Sequence, residues 1–275
     1  MRTTVIIGGT RGIGGALAAR LRSAGDRVVA IGRADADLTS VRQAADLATR
    51  LPDQIDVLVF AAGRFDQRRV ETSEGYEQTF AIQVLSRFLL AERLRPALDR
   101  AAEPVILNLC GTGGIKAGRI HWDDPQLTRG YRMFEATMQA ARANDLLGVS
   151  FAARDPHSRI RYILCNPLFV NSGLHRHLRQ PGRALVAAAA AVFGASVTDT
   201  ASRLAELLAD PPPAPLTALR RGRPVPLSRP EFDPASPPAW TRSSPNWSPG
   251  YRRVPGRLAA GQGRGRRGDA AYGPW

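Results

Sequence analysis

Short apolar runs alternate with longer stretches of helical periodicity from the start of the chain to about residue 219. Thr3–Ile7, Arg27–Ile31, Asp56–Ala61, Pro104–Cys110, Ile160–Cys165 and Leu216–Leu219 read as strands. Residues 12–24, 39–51, 76–99, 131–153, 182–193 and 198–209 read as helices. Strict alternation of this kind predicts one parallel sheet with helices on both faces, a doubly wound α/β domain. A short extra strand is expected at Ala34–Leu38, and no segment repeats.

The pattern stops near Asp210. Of the 21 prolines, 14 lie in residues 211–275, and the stretch from about Pro230 has no periodicity. The expected organisation is therefore a domain over residues 1–220 and a Pro/Gly/Arg-rich disordered tail over 221–275. The net charge of +14 changes meaning once it is mapped. From Arg220 onward there are 11 Arg against three acids, whereas the rest carries 27 basic and 21 acidic groups. The excess belongs mainly to the tail. Trp240, Trp247 and Tyr251 could serve there as stacking platforms for RNA. An unstructured extension, or a frameshifted read-through of GC-rich DNA, is the simpler account, so nucleic-acid binding ranks last.

The longest apolar run, Ala184–Phe193, is too short to span a bilayer. The chain opens directly on Thr3–Ile7, without a charged region and apolar core of signal-peptide type. Cys110 and Cys165 are too few for a disulfide framework. A cytoplasmic protein without membrane partners is expected.

The strongest motif is VIIGGTRGIGGAL at residues 5–17. A buried strand enters a glycine turn and leaves as an Ala/Leu-rich helix. Gly8, Gly12 and Gly14 allow a tight turn, close approach of backbone to a pyrophosphate, and close packing of helix on strand. The free N–H groups of the helix N-terminus then face the phosphates. No Gly-Lys-Ser/Thr follows, so this is not a P-loop. At the end of the second strand, RVVAIGRAD places Arg33 where an NAD enzyme would present an acid to the ribose 2′-hydroxyl. With Arg11 in the turn and no acid at that tip, the reading is NADP(H). The alternative is that Arg33 is one more surface Arg in an Arg-rich chain.

Taken together, these segments resemble the short-chain dehydrogenase/reductase superfamily, particularly its retinol-dehydrogenase-like members. The turn is similar to Thr-Gly-x-x-x-Gly-x-Gly, with Ile7 in the Thr place. Asp37-Leu38-Thr39 resembles the segment that contacts adenine, and DVLVFAAG (56–63) the Asn-Asn-Ala-Gly strand end, with Phe60 and Ala61 for both Asn. FAIQVLSRFLL (80–90), GRIHWDDPQL (118–127) and NPLFVNSGL (166–174) follow in family order. The last keeps Pro167, with Leu168 for Gly and Ser172 for Thr. The resemblance covers roughly residues 1–220 and implies a Rossmann-type fold. It also implies NADP(H) contacts from Gly8, Thr10, Arg11, Gly12, Ile13, Gly14, Arg33, Asp37, Leu38, Ala62, Gly63, Pro167 and Ser172.

The family chemistry needs a Tyr-x-x-x-Lys pair on one helix face, a Ser and an Asn. Hydride arriving at a carbonyl carbon leaves an alkoxide that must be stabilised and protonated. Alignment puts Gly111 at the Ser position, Thr137 at the Tyr, Ala141 at the Lys and Gln83 at the Asn. All four depart from the pattern, and losing general-acid help typically costs about 10²–10⁴-fold. The catalytic residues are therefore unassigned, with Thr112, Thr137 and Tyr131 as weak candidates. Tyr131 has Glu135 rather than Lys one turn on, which raises a phenol's pKa. His121 with Asp123 and Asp124 could form an acid/base cluster, although loop acids more often cap helices. His175 and His177 lack a third ligand, so no metal is expected. Cys110 and Cys165 end neighbouring strands and read as two small buried residues rather than a redox pair.

Two functions remain. The first is an NADP(H)-dependent oxidoreductase acting on a small-molecule substrate, a carbonyl or alcohol, with non-standard catalytic residues. The second is a catalytically silent NADP(H)-binding sensor or partner protein. The Ala-rich helix at 131–153 is compatible with the dimers or tetramers of the family that the chain resembles.

Overall fold

The computed structural model describes residues 1–111, 118–167 and 196–233. In chain order it contains β1 (Thr3–Ile7), α1 (Gly12–Ser23), β2 (Arg27–Ile31), α2 (Val41–Arg50), β3 (Val57–Phe60) and α3 (Gln78–Phe80). A π-helical turn (Ala81–Leu85) leads into α4 (Ser86–Arg93), followed by α5 (Arg95–Asp99), β4 (Val105–Leu109) and α6 (Met133–Arg154). Last come β5 (Arg161–Asn166), α7 (Val197–Ala209), β6 (Leu216–Arg220), β7 (Arg223–Pro224) and a 3₁₀ turn at Pro230–Phe232.

The strands form one sheet in the order β2-β1-β3-β4-β5-β6-β7. β1 to β6 are parallel and β7 is antiparallel to β6. This is the doubly wound α/β architecture the periodicity predicts. Continuous apolar strands such as Val57–Phe60, buried at every position, are what a sheet covered on both faces requires. On one face, Val5, Ile7, Leu58, Phe60 and Ile106 pack under Leu47 of α2, Leu90 of α4 and Phe151 of α6. On the other, Ile6, Val57, Val59 and Leu107 pack under Leu17 and Leu21 of α1 and Leu204 and Leu208 of α7.

Three sequence expectations need correction. Ala34–Leu38 is not a strand: Asp35 and Ala36 turn back onto the Gly32 carbonyl, and only Ala36 is buried. The helix expected over 76–99 is interrupted by the π-helical turn and then by Leu94, with Pro96 in the first turn of α5. The chain also does not leave the sheet at residue 220. Arg221 and Gly222, both at positive φ, form a two-residue hairpin into β7. Val225 and Phe232 then join the core. Residues 221–233 are thus part of the packed domain, while the remainder of the expected tail and the helix at 182–193 lie outside the described residues.

The strand order reverses at β1: the connection from β1 leads to β2 on one side, and β3 is added on the other, all three strands running parallel. Connecting segments diverge there, which opens a crevice at the carboxyl ends of the strands. The glycine turn closes its floor. A Cβ on Gly14 would lie 2.2 Å from the Gly8 carbonyl oxygen, and one on Gly8 (φ +88°) 2.5 Å from the Ala62 nitrogen. The start of α1 and the ends of β1 and β3 therefore meet backbone to backbone.

Two predictions follow from this packing. Gly14→Ala forces backbone apart and is expected to cost about 1–3 kcal/mol or more in urea unfolding. Gly12→Ala, whose Cβ enters open space at φ +59°, carries only backbone strain of about 1–2 kcal/mol. An equal or smaller loss for Gly14→Ala would show that the close approach does not hold the turn. Leu204→Ala, at a position 4% exposed, is expected to cost about 2–5 kcal/mol in the same assay. The control Phe134→Ala, 62% exposed, stays within about 0.5 kcal/mol.

Candidate functional site

A cleft of about 1120 Å³ runs along the carboxyl ends of the strands. At one end it is lined by Gly8, Thr10, Arg11, Gly12, Ile13 and Gly14 of the glycine turn. Beside them stand Arg33, Asp37 and Leu38 from the segment after β2. The other end is lined by Ala62, Gly63, Gln83, Gly111, Thr137, Ala141 and Pro167, together with Arg64, Arg87 and Cys110. The fold thus brings to one cleft twelve of the thirteen positions expected to touch cofactor. The thirteenth, Ser172, lies outside the described residues, as do Thr112, His175 and His177.

The turn end is built to receive negative charge. Arg11 precedes α1 in extended conformation, and no side chain caps the helix. Its first-turn N–H groups, with the positive end of the helix dipole, face the cleft. Gly12 leaves open space where a side chain would stand. Arg33 is exposed at the cleft lip. The expectation that this tip holds no acid is corrected: Asp35 is there. Its carboxylate, however, accepts the Gly32 N–H at 2.7 Å and does not line the cleft. The Asp37 carboxylate accepts the Thr39 N–H at 3.0 Å and holds the following turn.

Among the described residues, the far end offers little proton chemistry. The Thr137 hydroxyl donates to the Met133 carbonyl at 2.7 Å, one turn back in its own helix. Gln83 Nε2 donates to the Arg64 carbonyl at 2.8 Å. Tyr131, a weak candidate from the sequence, does not line the cleft, and its hydroxyl donates to the Asp66 carbonyl at 2.9 Å. Burial first, and then the carboxylates of Glu77 and Asp66, push its phenol up to about 12. His121 and Asp124 do not form an acid/base pair. The Asp124 carboxylate accepts the backbone N–H groups of Thr128 and Arg129 and so holds a turn of the loop rather than capping a helix, and the His121 N–H goes to Gln139 Oε1.

Cys110 and Cys165 also stay apart. Their backbones are bonded, Cys110 N–H to Cys165 carbonyl at 3.0 Å, but their side chains belong to opposite faces of the sheet. Strand alternation separates them. Burial pushes the Cys165 thiol up to about 12, so it stays protonated and inert. Among the described residues, no group of three or more His, Cys, Asp and Glu could hold a metal. No helix among them is long and apolar enough to cross a membrane.

Sequence reasoning missed a buried polar cluster beneath the far end. Arg87, 4% exposed, reaches from α4 to the ends of β3 and β4. One of its terminal nitrogens donates to Asn108 Oδ1 (2.5 Å) and the Leu109 carbonyl (2.8 Å), the other to the Ala62 carbonyl (2.6 Å). Asn108 Nδ2 donates to Asn144 Oδ1 (2.9 Å) and to the Tyr162 hydroxyl (3.0 Å). Asn144 Nδ2 donates to the Gln83 carbonyl at 2.8 Å and so ties α6 to the π-helical turn. The available signal was a polar residue inside each apolar run: Asn108 in VILNL and Arg87 in LSRFLL.

No protein-family model matches the chain. It is 30% identical over 197 residues to a Streptomyces sp. (strain C5) protein carrying the name daunorubicin C-13 ketoreductase DnrU, covering 58% of this chain and 67% of that protein. It is 27% identical over 146 residues to human retinol dehydrogenase 14. That match covers 53% of this chain but only 43% of the relative, so the chain spans less than half of that protein. Among solved structures, the 3-alpha-hydroxysteroid dehydrogenase from Pseudomonas sp. B-0831 complexed with NADH superposes with a TM-score of 0.62 at 20% identity. The overlap is 80% of this chain and 96% of that one, and it speaks for the fold alone. Glycine turn, strand order and sequence relatives agree, and the chain belongs to the short-chain dehydrogenase/reductase family, with relatives among its retinol dehydrogenases.

Proposed function

We propose that the protein is an oxidoreductase that binds NADP(H) along the cleft and acts on a small carbonyl or alcohol substrate. The observation that carries this is the charge at the cleft lip. Arg33 is exposed there, while the neighbouring acid Asp35 is turned onto the Gly32 N–H. A guanidinium attracts a ribose 2′-phosphate, and a carboxylate facing the same spot would repel it. Solved chains of this fold hold either NADPH or NADH, so the choice rests on this chain's own residues.

The residues fit such a dinucleotide. The uncapped start of α1, with the space over Gly12, suits the pyrophosphate, and Arg11 and Arg33 suit the 2′-phosphate. Asp37 and Leu38 suit the adenine side, and Ala62, Gly63 and Pro167 the opposite end. When bound, the reduced nicotinamide supplies hydride.

The chain's own part in proton transfer departs from the family set. Gly111 and Ala141 carry no functional group, and the Thr137 hydroxyl is committed to its helix. With no free donor at Gly111, Thr137 or Ala141, this reading takes the proton for a product alkoxide from water, or has a substrate more easily reduced than a simple ketone. The ketoreductase name of the Streptomyces relative supports a carbonyl substrate. Action in the cytoplasm and assembly as a homodimer or homotetramer belong to the same reading.

Titration of the full chain with NADPH and NADH tests it. Arg33→Glu is expected to weaken NADPH binding by about tenfold or more and to leave NADH binding nearly unchanged. Unaltered NADPH affinity would remove the argument for the 2′-phosphate. Oxidation of NADPH by a panel of activated carbonyls should be slow but measurable. NADPH binding with no turnover on any of them would leave a catalytically silent binding protein.

A further inference from the structure

Arg87 is a buried charge without a counter-charge among the described residues. Among the described residues, every acceptor it reaches is neutral: the Ala62 and Leu109 carbonyls and the side-chain oxygens of Asn108 and Asn144, the last at 3.4 Å. Its Nε is buried with no hydrogen-bond partner. Burial is the main influence on the guanidinium and disfavours the charged form; the acidic groups that act on it are the Cys110 thiol and the Tyr162 phenol. Arginine nevertheless stays protonated in proteins. A cation taken out of water without an anion keeps its field, which raises the energy of any second cation nearby.

The position of that field matters. A dinucleotide laid across the switch point has its pyrophosphate on the glycine turn and its two ends on either side. The Arg33 end lies by β2, so the other end lies by β4 and β5, where Arg87 lines the cleft with Gly111, Ala141 and Asn166. The second cation there, Arg64, is paired with Asp66 at 2.9 Å. Asp37, the one carboxylate among the described lining residues, is at the opposite end.

We propose that Arg87 makes the site select the redox state of its dinucleotide, its buried charge disfavouring the oxidised, positively charged nicotinamide and favouring the reduced, neutral one. This rests on the cofactor reading above. It makes Arg87 a specificity-determining residue that favours loading with the reduced cofactor over the oxidised one.

The test is equilibrium binding of the full-length protein to NADP+ and NADPH, with NAD+ and NADH in parallel. The two forms of each pair differ only in the nicotinamide, so their ratio of dissociation constants isolates the ring charge from the phosphates. The native chain is expected to bind the reduced form about tenfold or more tightly than the oxidised form. Arg87→Gln should bring the ratio toward one, and Arg87→Lys, which keeps the charge, should preserve it. A purely structural role for Arg87 would weaken both forms by the same factor, and an unchanged ratio in Arg87→Gln overturns the proposal. Equal affinities in the native chain overturn it too, which decides the matter even if Arg87→Gln does not fold. Failure of the native chain to bind any of the four nucleotides would sink the cofactor reading and this inference with it. Preference for NADH over NADPH with a persistent redox ratio would sink only the 2′-phosphate argument.

Discussion

The contact on which the site depends is one between backbones. Where α1 begins, Gly14 passes so near the Gly8 carbonyl that a methyl group would overlap it, and a methyl group on Gly8 would likewise overlap Ala62, just past the end of β3. Ala61 and Ala62 both donate to the Ile7 carbonyl, so the two strand ends are also hydrogen-bonded through one acceptor. Helix, β1 and β3 are thereby locked at the point where the sheet order reverses. The orientation of α1 follows, with Leu17 and Leu21 turned down onto the sheet beside α7 and its uncapped N-terminus turned up into the crevice. The site and one hydrophobic layer therefore rest on the same missing Cβ atoms.

The second constraint works from below. A parallel sheet leaves carbonyls at its strand ends that need donors, and here Arg87 supplies them to both β3 and β4. The amides of Asn108 and Asn144 close the network onto α6 and the π-helical turn. Such a cluster costs solvation, but when satisfied it fixes the relative placement of the elements it joins. The Ala62 segment is thus held from above by β1 and from below by Arg87. The geometry of the glycine turn and that of the far end of the cleft are coupled through these few atoms.

Much of this was legible in the chain. Apolar runs of four to six residues between helical stretches predict a parallel sheet because both its faces must be covered. The glycine spacing in VIIGGTRGIGGAL marks the turn because a tight backbone approach tolerates no side chain. Other features were not legible, for physical reasons. Ala34–Leu38 carries an apolar pattern compatible with a strand, but the Asp35 carboxylate and the Gly32 backbone capture it as a turn. The segment after residue 220 reads as tail by composition, yet Phe232 finds a buried place against the core. Composition does not reveal a docking partner distant in sequence.

By itself the sequence determined the order of the elements, the parallel sheet and the glycine turn, because each follows from local periodicity or from residue type at a spacing. Only the tertiary structure decided which charges meet which groups. It turned the Tyr131 hydroxyl to the Asp66 carbonyl, bonded the Asp35 carboxylate to the Gly32 N–H, and put the two cysteines on opposite faces. It also carried Arg87 beneath strand ends 25 and 22 residues away in the chain. Those outcomes depend on distances between segments that are far apart in sequence, and such distances exist only once the sheet has closed.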